Sequence, residues 1–251
     1  MKPTRRSTKV IYGVVGSALL ILGAELIGQF QLAGRAWPPL TDVVAYVSTP
    51  AGASLVWRNA LVTLSAAAQG FVLGVAVAVI GAALALVVPL LRPGFDRFAA
   101  ILHAVPTIAL APLLITTVGR EDTPMVIAAL SVGFVMFVTM TSGFAHTSAA
   151  HEDVFTVLGS QRIQRLARLE VPQAIPAFFD GLTLAAPAAV LGATIGEWFG
   201  APMGLGLVLV SAMQNYQMAL LWSAALAATI MSLAAYLIFV QLQRVAVRRF
   251  A

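Results

Sequence analysis

The sequence predicts an all-α fold, a polytopic membrane bundle of about six transmembrane helices, on three observations. The chain of 251 residues is 60% hydrophobic and only 10% charged, with a mean hydropathy of +0.92; soluble domains are about half apolar and a quarter charged. The apolar residues fall in runs near the length, about 20 residues, that a helix needs to cross hydrocarbon. With the N-terminus placed inside and six spans, only Arg35, Arg58 and Arg120 of the 15 Lys and Arg fall outside. That asymmetry is the bias carried by loops retained in the cytoplasm, so both termini are expected there. The formal charge of +5 then reports cytoplasmic loops and no nucleic-acid contact. The absence of cysteine excludes disulfides, thiolate chemistry and Cys-based metal sites.

The elements follow in order. MKPTRRSTKV precedes a first apolar run, Val10 to about Gly28. It is long for the core of a signal peptide, and no clean small-x-small cleavage site follows, so a retained anchor fits better. A polar loop with Pro38, Pro39 and Pro50 holds TDVVAYV, which fits a short interfacial helix. These residues, 1–54, form an N-terminal unit ahead of a core expected over 55–251.

The second run, Leu55 to Val88, exceeds one perpendicular span, so tilt or extension beyond the bilayer is expected. Gly70 and Gly74, four apart, either permit close helix packing or reflect the general frequency of glycine in membrane helices. The third span, Phe98 to Val118, is interrupted by Pro106 and Pro112. The fourth runs from Pro124 to Ala145, the fifth from Ala174 to Ile195, and the sixth from Ala219 to Gln241. GEWFGAPMGLG, between the last two, reads as a glycine-rich connection.

Between spans four and five lies an insert of about 25 residues, roughly 147–172, that includes DVFTVLGSQRIQRLARLEVP. Arg162, Arg165 and Arg168 recur every third residue, and Ile163, Leu166 and Leu169 follow one position later. On a helix these form adjacent basic and apolar stripes. Val154, Phe155 and Leu158 form an earlier apolar patch. Gly159 can turn the chain at low steric cost, and Pro172 is expected to end the second piece. Two readings fit such an amphipathic insert: a loop on anionic headgroups, or a dock for a protein.

The spacing resembles the cytoplasmic EAA loop of binding-protein-dependent ABC importer permeases: Glu-Ala-Ala, three residues, Gly, nine residues, then Ile-x-Leu-Pro. Asp153 stands at the Glu position, Gly159 at the Gly, and Leu169, Val171 and Pro172 at the Ile, Leu and Pro. The departures are Asp for Glu, and Val154 and Phe155 for the alanines. NALVTLSAAAQGFVLG from Asn59, HAVPTIALAPLLITTVGREDTPMVIAAL from His103 and IPAFFDGLTLAAPAAVLGATIGEWFGAPMGLG from Ile175 are similar to further segments of that family, in the same order. The branch resembled is that of the nitrate, sulfonate, taurine and pyrimidine-precursor permeases, with Glu197, Trp198 and Gly200 leaning toward the last.

The resemblance implies a type I ABC importer permease (MetI-like) fold in a bacterial inner membrane. It implies partners: an ABC ATPase subunit that carries ATP and Mg, an extracytoplasmic solute-binding protein, and a second permease copy or a paralogue. It also makes the insert the coupling loop, with Asp153, Phe155, Leu158, Gly159, Arg162, Arg165, Leu169, Val171 and Pro172 as candidate coupling residues. The apolar residues would fill a dock, while the arginines stay wet or pair with acids.

No catalytic residue, metal site or cofactor is expected in this chain. G-x-x-x-x-G-K-[ST] and H-E-x-x-H are absent, and so is G-x-S-x-G. Candidates for the translocation path or a gate are His103, Pro106, Thr107, Glu197 and Trp198, since ionisable residues and freed carbonyls in a span are costly. Each has a plainer reading: a neutral histidine bonded to a carbonyl, packing kinks, or an interfacial tryptophan. A secondary transporter or channel is the alternative function, but the buried charge networks or repeat-related broken helices of that class are not evident. A membrane-embedded enzyme would need a convergent polar set, and the polar residues are scattered.

Overall fold

The computed structural model describes residues 5–145, 155, 157 and 159–250. Asp153 and Leu158 of the candidate coupling set lie outside these. The described chain is built of helices: α1 Arg5–Gln29, α2 Leu40–Ser48, α3 Pro50–Val87, α4 Arg92–Ala104, α5 Thr107–Thr117, α6 Thr123–Ala145, α7 Arg162–Glu197, α8 Leu205–Gln214 and α9 Met218–Phe250. α1, α3, α6, α7 and α9 are each long and apolar enough to cross a membrane. The expected interfacial helix is α2.

α3 starts where local chemistry dictates. Thr49 is extended and its hydroxyl accepts from the Gly52 N–H at 3.0 Å, while Pro50 fills the first turn, where its missing N–H costs nothing. At 38 residues α3 is about 57 Å long at 1.5 Å per residue. It therefore extends well beyond a hydrocarbon core of about 30 Å.

The centre of the bundle is α6, held between α3 and α7. Gly70 packs on Met125 and Ala128, Gly74 on Ala129 and Val132, and Gly81 faces Phe137, so α3 and α6 run in the same direction. Gly143 meets Ala174 and Ala177, Gly181 meets Met136 and Thr139, and Gly196 meets Pro124, so α7 runs opposite to α6. Between these helices the core is mostly alanine, including Ala67, Ala82, Ala128, Ala185 and Ala193. Helices in lipid gain little from hydrophobicity when they associate, so small residues that let backbones approach supply the attraction.

Because α3 and α6 are parallel, the chain joining them must return across the same depth. The sequence predicts one span interrupted by Pro106 and Pro112; the structure breaks it at Pro106. α4 stops at Ala104, Val105 and Pro106 are extended with ψ of 121° and 118°, and α5 begins at Thr107. A residue before proline avoids helical ψ, and Pro106 has no N–H to continue the ladder. Pro112 is carried inside α5 without ending it. The pair α4–α5 thus supplies the sixth crossing.

One expectation about the insert is corrected. Pro172 does not end a separate piece of the insert. α7 begins at Arg162, passes through a π-turn over Leu166–Glu170, and continues through Pro172 to Glu197. The wider turn bonds the Val171 N–H to Leu166 O, five residues back, which shifts the carbonyl register just where a proline would otherwise meet one. α8 begins at the end of the glycine-rich connection and fills the stretch before α9 that the sequence left unassigned.

The N-terminal unit docks through tryptophans. Trp37 and Trp222 rings lie 4.6 Å apart, Trp37 Nε1 donates to Ala24 O at 3.1 Å, and Trp222 Nε1 donates to Ala36 O at 3.0 Å.

A side chain at Gly74 would collide with the Ala129 carbonyl and Val132, whereas one at Gly23 meets nothing within 4 Å. Gly74→Leu is expected to destabilise the purified protein by about 1–3 kcal/mol, read as a lower thermal midpoint in detergent. Gly23→Ala should leave that midpoint unchanged.

Candidate functional site

The insert is folded against the bundle by its own polar groups. The Phe155 carbonyl accepts from the Ser160 N–H at 3.0 Å and from its hydroxyl at 2.8 Å. Gly159 has φ +65°, with nothing within 4 Å of where a Cβ would stand. This is the left-handed turn expected of it, and it is exposed. Gln161 then starts α7, its N–H donating to Gln164 Oε1 at 3.3 Å.

The basic stripe divides. Arg165 Nε pairs with Glu170 Oε1 at 3.1 Å, as a pairing with an acid predicts. Arg162 stays exposed, as expected, but makes a contact the sequence did not suggest: its Nη2 donates to the carbonyls of Val87 at 3.0 Å and Leu86 at 3.3 Å, the last residues of α3. A cation at a helix C-terminus satisfies orphan carbonyls and opposes the negative end of the macrodipole. Arg168 is exposed.

The apolar stripe divides as well. Ile163 is 76% exposed, Leu166 is intermediate, and Leu169 is buried in the chain itself at 7%. Leu169 therefore positions the insert and cannot fill a partner's dock. Phe155 is half-buried, whereas Val157 at 87% and Val171 at 49% are exposed; Pro172 is exposed too. Among the described residues, the open apolar surface of the insert thus rests on Val157, Ile163 and Val171.

The candidate path residues do not converge. Pro106 and Thr107, at the break, line a cavity of about 260 Å³ with Ser131, Phe134 and Ala188. Trp198, 40% exposed, lines a separate cleft of about 550 Å³ between α7 and α9 with Leu191, Thr229 and Tyr236. His103 lies in the last turn of α4. Glu197 faces no cavity at all, being 0% exposed.

Glu197 instead closes a polar knot that sequence reasoning missed. Its Oε2 accepts from the Gly206 N–H at 2.7 Å and lies 3.0 Å from Thr63 Oγ1. Thr63 Oγ1 accepts from the Leu205 N–H at 2.9 Å, and Asn59 Oδ1 accepts from the Gly204 N–H at 2.8 Å. Three successive amides at the start of α8 are thereby satisfied by side chains of α3 and α7. Free helix-start donors buried away from water would be costly, and this arrangement removes that cost. Asn59 and Thr63, one turn apart, share one face of α3.

Glycine is required here. Gly204 has φ +134° and its Cβ would fall on the Glu197 carboxyl; a Cβ on Gly206 would meet the Thr194 carbonyl. The available signal was a glutamate followed by G-x-G and an apolar run, a buried acceptor ahead of backbone donors. Glu197 Oε1 is buried with no hydrogen-bond partner.

The family profile described as binding-protein-dependent transport system inner membrane component matches residues 70–251. The chain belongs to this family. It is a multi-pass membrane permease. A protein of Haemophilus influenzae named as an ABC transporter permease is 30% identical over 73% of this chain and 76% of its own length. The formylaminopyrimidine transport permease protein ThiX of Halalkalibacterium halodurans is 36% identical over 41% of this chain and 42% of its own. The riboflavin transport system permease protein RibX of Chloroflexus aurantiacus is 29% identical over 86% and 77%. Among solved structures, an inward-facing conformation of the MetNI methionine ABC transporter covers 77% of this permease and 95% of the matched chain at 17% identity and a TM-score of 0.60. That likeness establishes the fold, a type I importer permease bundle.

Thr63→Val keeps volume but removes the hydroxyl, which leaves the Leu205 amide and the Glu197 carboxyl short of a partner. An unsatisfied buried donor costs about 1–3 kcal/mol. The variant is expected to show that loss as a lowered thermal midpoint, with faster protease cleavage near residues 199–204.

Proposed function

We propose that this permease is the translocating subunit of an ABC importer, with ATP hydrolysed in a separate subunit bound at the 147–172 insert. The observation that carries this reading is the insert itself. It has the EAA-loop spacing around Gly159, it is continuous with a bundle-spanning helix, and it presents apolar side chains at Val157, Ile163 and Val171. Apolar side chains exposed beside arginines, at a helix end, suit a protein cleft better than water.

The positive-inside distribution supports an insert and both termini on the cytoplasmic side. The Glu197–Gly204 turn and α8 then lie toward the opposite face, where a solute-binding protein docks. A second copy or a paralogue completes the path, which the separate cavities of one chain leave divided. The solute class is a small polar organic molecule or anion. Relatives are named for formylaminopyrimidine, riboflavin and aliphatic sulfonates, which supports this solute class as a whole. Solute selection rests largely on the binding protein.

The broken α4–α5 crossing favours the secondary-transporter reading to a degree, because such proteins use discontinuous helices. The sequence has no internal repeat to pair with the break, and the experiment separates the two readings.

The chain is co-expressed with its candidate ATPase and extracted in mild detergent. The wild type is expected to retain the ATPase. Gly159→Val, which forces a β-branched residue to φ +65° at an exposed turn, should lose most of it while the thermal midpoint holds. A folded wild-type chain that transports without any ATPase would establish the secondary-transporter reading instead.

A further inference from the structure

The polar contacts at the two ends of α7 have one feature in common: both are made to α3. The first residue of α7, Arg162, holds the carbonyls of Leu86 and Val87 at the C-terminal end of α3. The last residue, Glu197, lies 3.0 Å from Thr63 in the N-terminal half of α3. Between them α3 and α7 run antiparallel, each packed on α6. Glu197 also holds the first turn of α8 through Gly206.

We infer that Arg162 and Glu197 are positioning residues that clamp the two ends of α7 onto α3, so that displacement of the insert is carried through a single α3–α7 strut to the α8 turn at the far side. This deepens the proposed function and rests on it, since the displacement is supplied by the ATPase.

The physics requires a clamp at the insert end in particular. α7 passes through a π-turn at Leu166–Glu170 immediately after the insert. The i→i+5 pattern is a local departure from the α-helical ladder and a natural point of bending. Force applied at Val157 or Ile163 would bend the chain there unless the residues ahead of the π-turn were tied elsewhere. Arg162 ties them to α3, and Arg165–Glu170 spans the turn itself at 3.1 Å. At the far end the tie is buried and includes three amides of α8, so the clamp there is strong where the one at Arg162 is exposed and modest.

The absence of native cysteine makes the test direct. Spin labels are placed at Leu84→Cys on α3 and Gln161→Cys ahead of the π-turn, and separately at Met213→Cys on α8, all of them exposed positions outside the proposed docking surface. The permease–ATPase complex is measured with and without MgATP plus vanadate. With Arg162 present, the 84–161 distance is expected to stay fixed, while the label at 213 responds to nucleotide. In Arg162→Ala, the 84–161 distance should change by several ångströms on adding nucleotide, and the response at 213 should fall at least twofold. Arg162→Lys, which keeps a cation at the helix end, should restore most of both.

ATPase retention is scored on the same samples. Failure of the wild type to retain the ATPase overturns the proposed function and the strut with it. Full retention with Arg162→Ala indistinguishable from wild type in both label readings overturns the strut alone. Loss at 213 in both Arg162→Ala and Arg162→Lys, with the 84–161 distance fixed, also overturns it, because the insert would then move with α3 regardless of the cation.

Discussion

Close backbone contact of α6 with α3 on one side and α7 on the other is the constraint from which the rest of the bundle follows. Gly70 and Gly74 admit α6 against α3, and Gly181, Gly192 and Gly196 admit it against α7. In lipid the gain comes from packing at short range, and it is available only where side chains are small. The directions of the three helices are set by which glycines meet which residues. A parallel α3–α6 pair obliges the chain to cross back between them, and the crossing is made by a helix that proline has broken. The break therefore has a topological cause, whatever use transport makes of it.

The second constraint is the satisfaction of backbone donors. A membrane interior supplies no water to an exposed amide, so each interruption of a helix must be matched by acceptors from elsewhere. After α7 the chain turns and starts α8 inside the protein. The acceptors are a carboxylate, a hydroxyl and a side-chain amide from two other helices, and the glycines at 204 and 206 leave room for them. Glu197 is thus retained at a buried position for a structural reason. That reason also joins the outer turn to α3 and α7, so the polar knot that satisfies α8 fixes how α8 can move.

What was legible in the sequence was whatever depended on composition and period. The long apolar runs gave α1, α3 and α6 close to their limits and the apolar bodies of α7 and α9, though α7 starts well before Ala174 and α9 runs on past Gln241; TDVVAYV gave α2, and Gly159 was placed correctly at a turn. The Gly70–Gly74 pair proved to be a packing surface. What was hidden depended on partners distant in sequence. Nothing near Glu197 indicates that Thr63 and Asn59, more than a hundred residues earlier, will meet it and the start of α8. The arginine stripe looked uniform because spacing reports only a helix face; one member pairs with Glu170, and another reaches the end of α3. Leu169 looked like its neighbours in the apolar stripe and is buried because α7 begins earlier than the proline suggested.

That early start of α7 bears on how the insert can act. A coupling element joined to the bundle by a flexible turn after Pro172 would transmit force poorly, because the turn would absorb the motion. Here the residues from Arg162 to Glu197 form one helical run, and the proline lies inside it. A π-turn accommodates Pro172 at the cost of a weaker ladder over Leu166–Glu170, and two arginines just ahead of that weakness brace it: Arg162 anchors the residues before it, and Arg165 bridges across it. The basic residues therefore stiffen a place where a continuous helix would otherwise yield, and among the described residues Val157, Ile163 and Val171 give the proposed ATPase an apolar surface to push on.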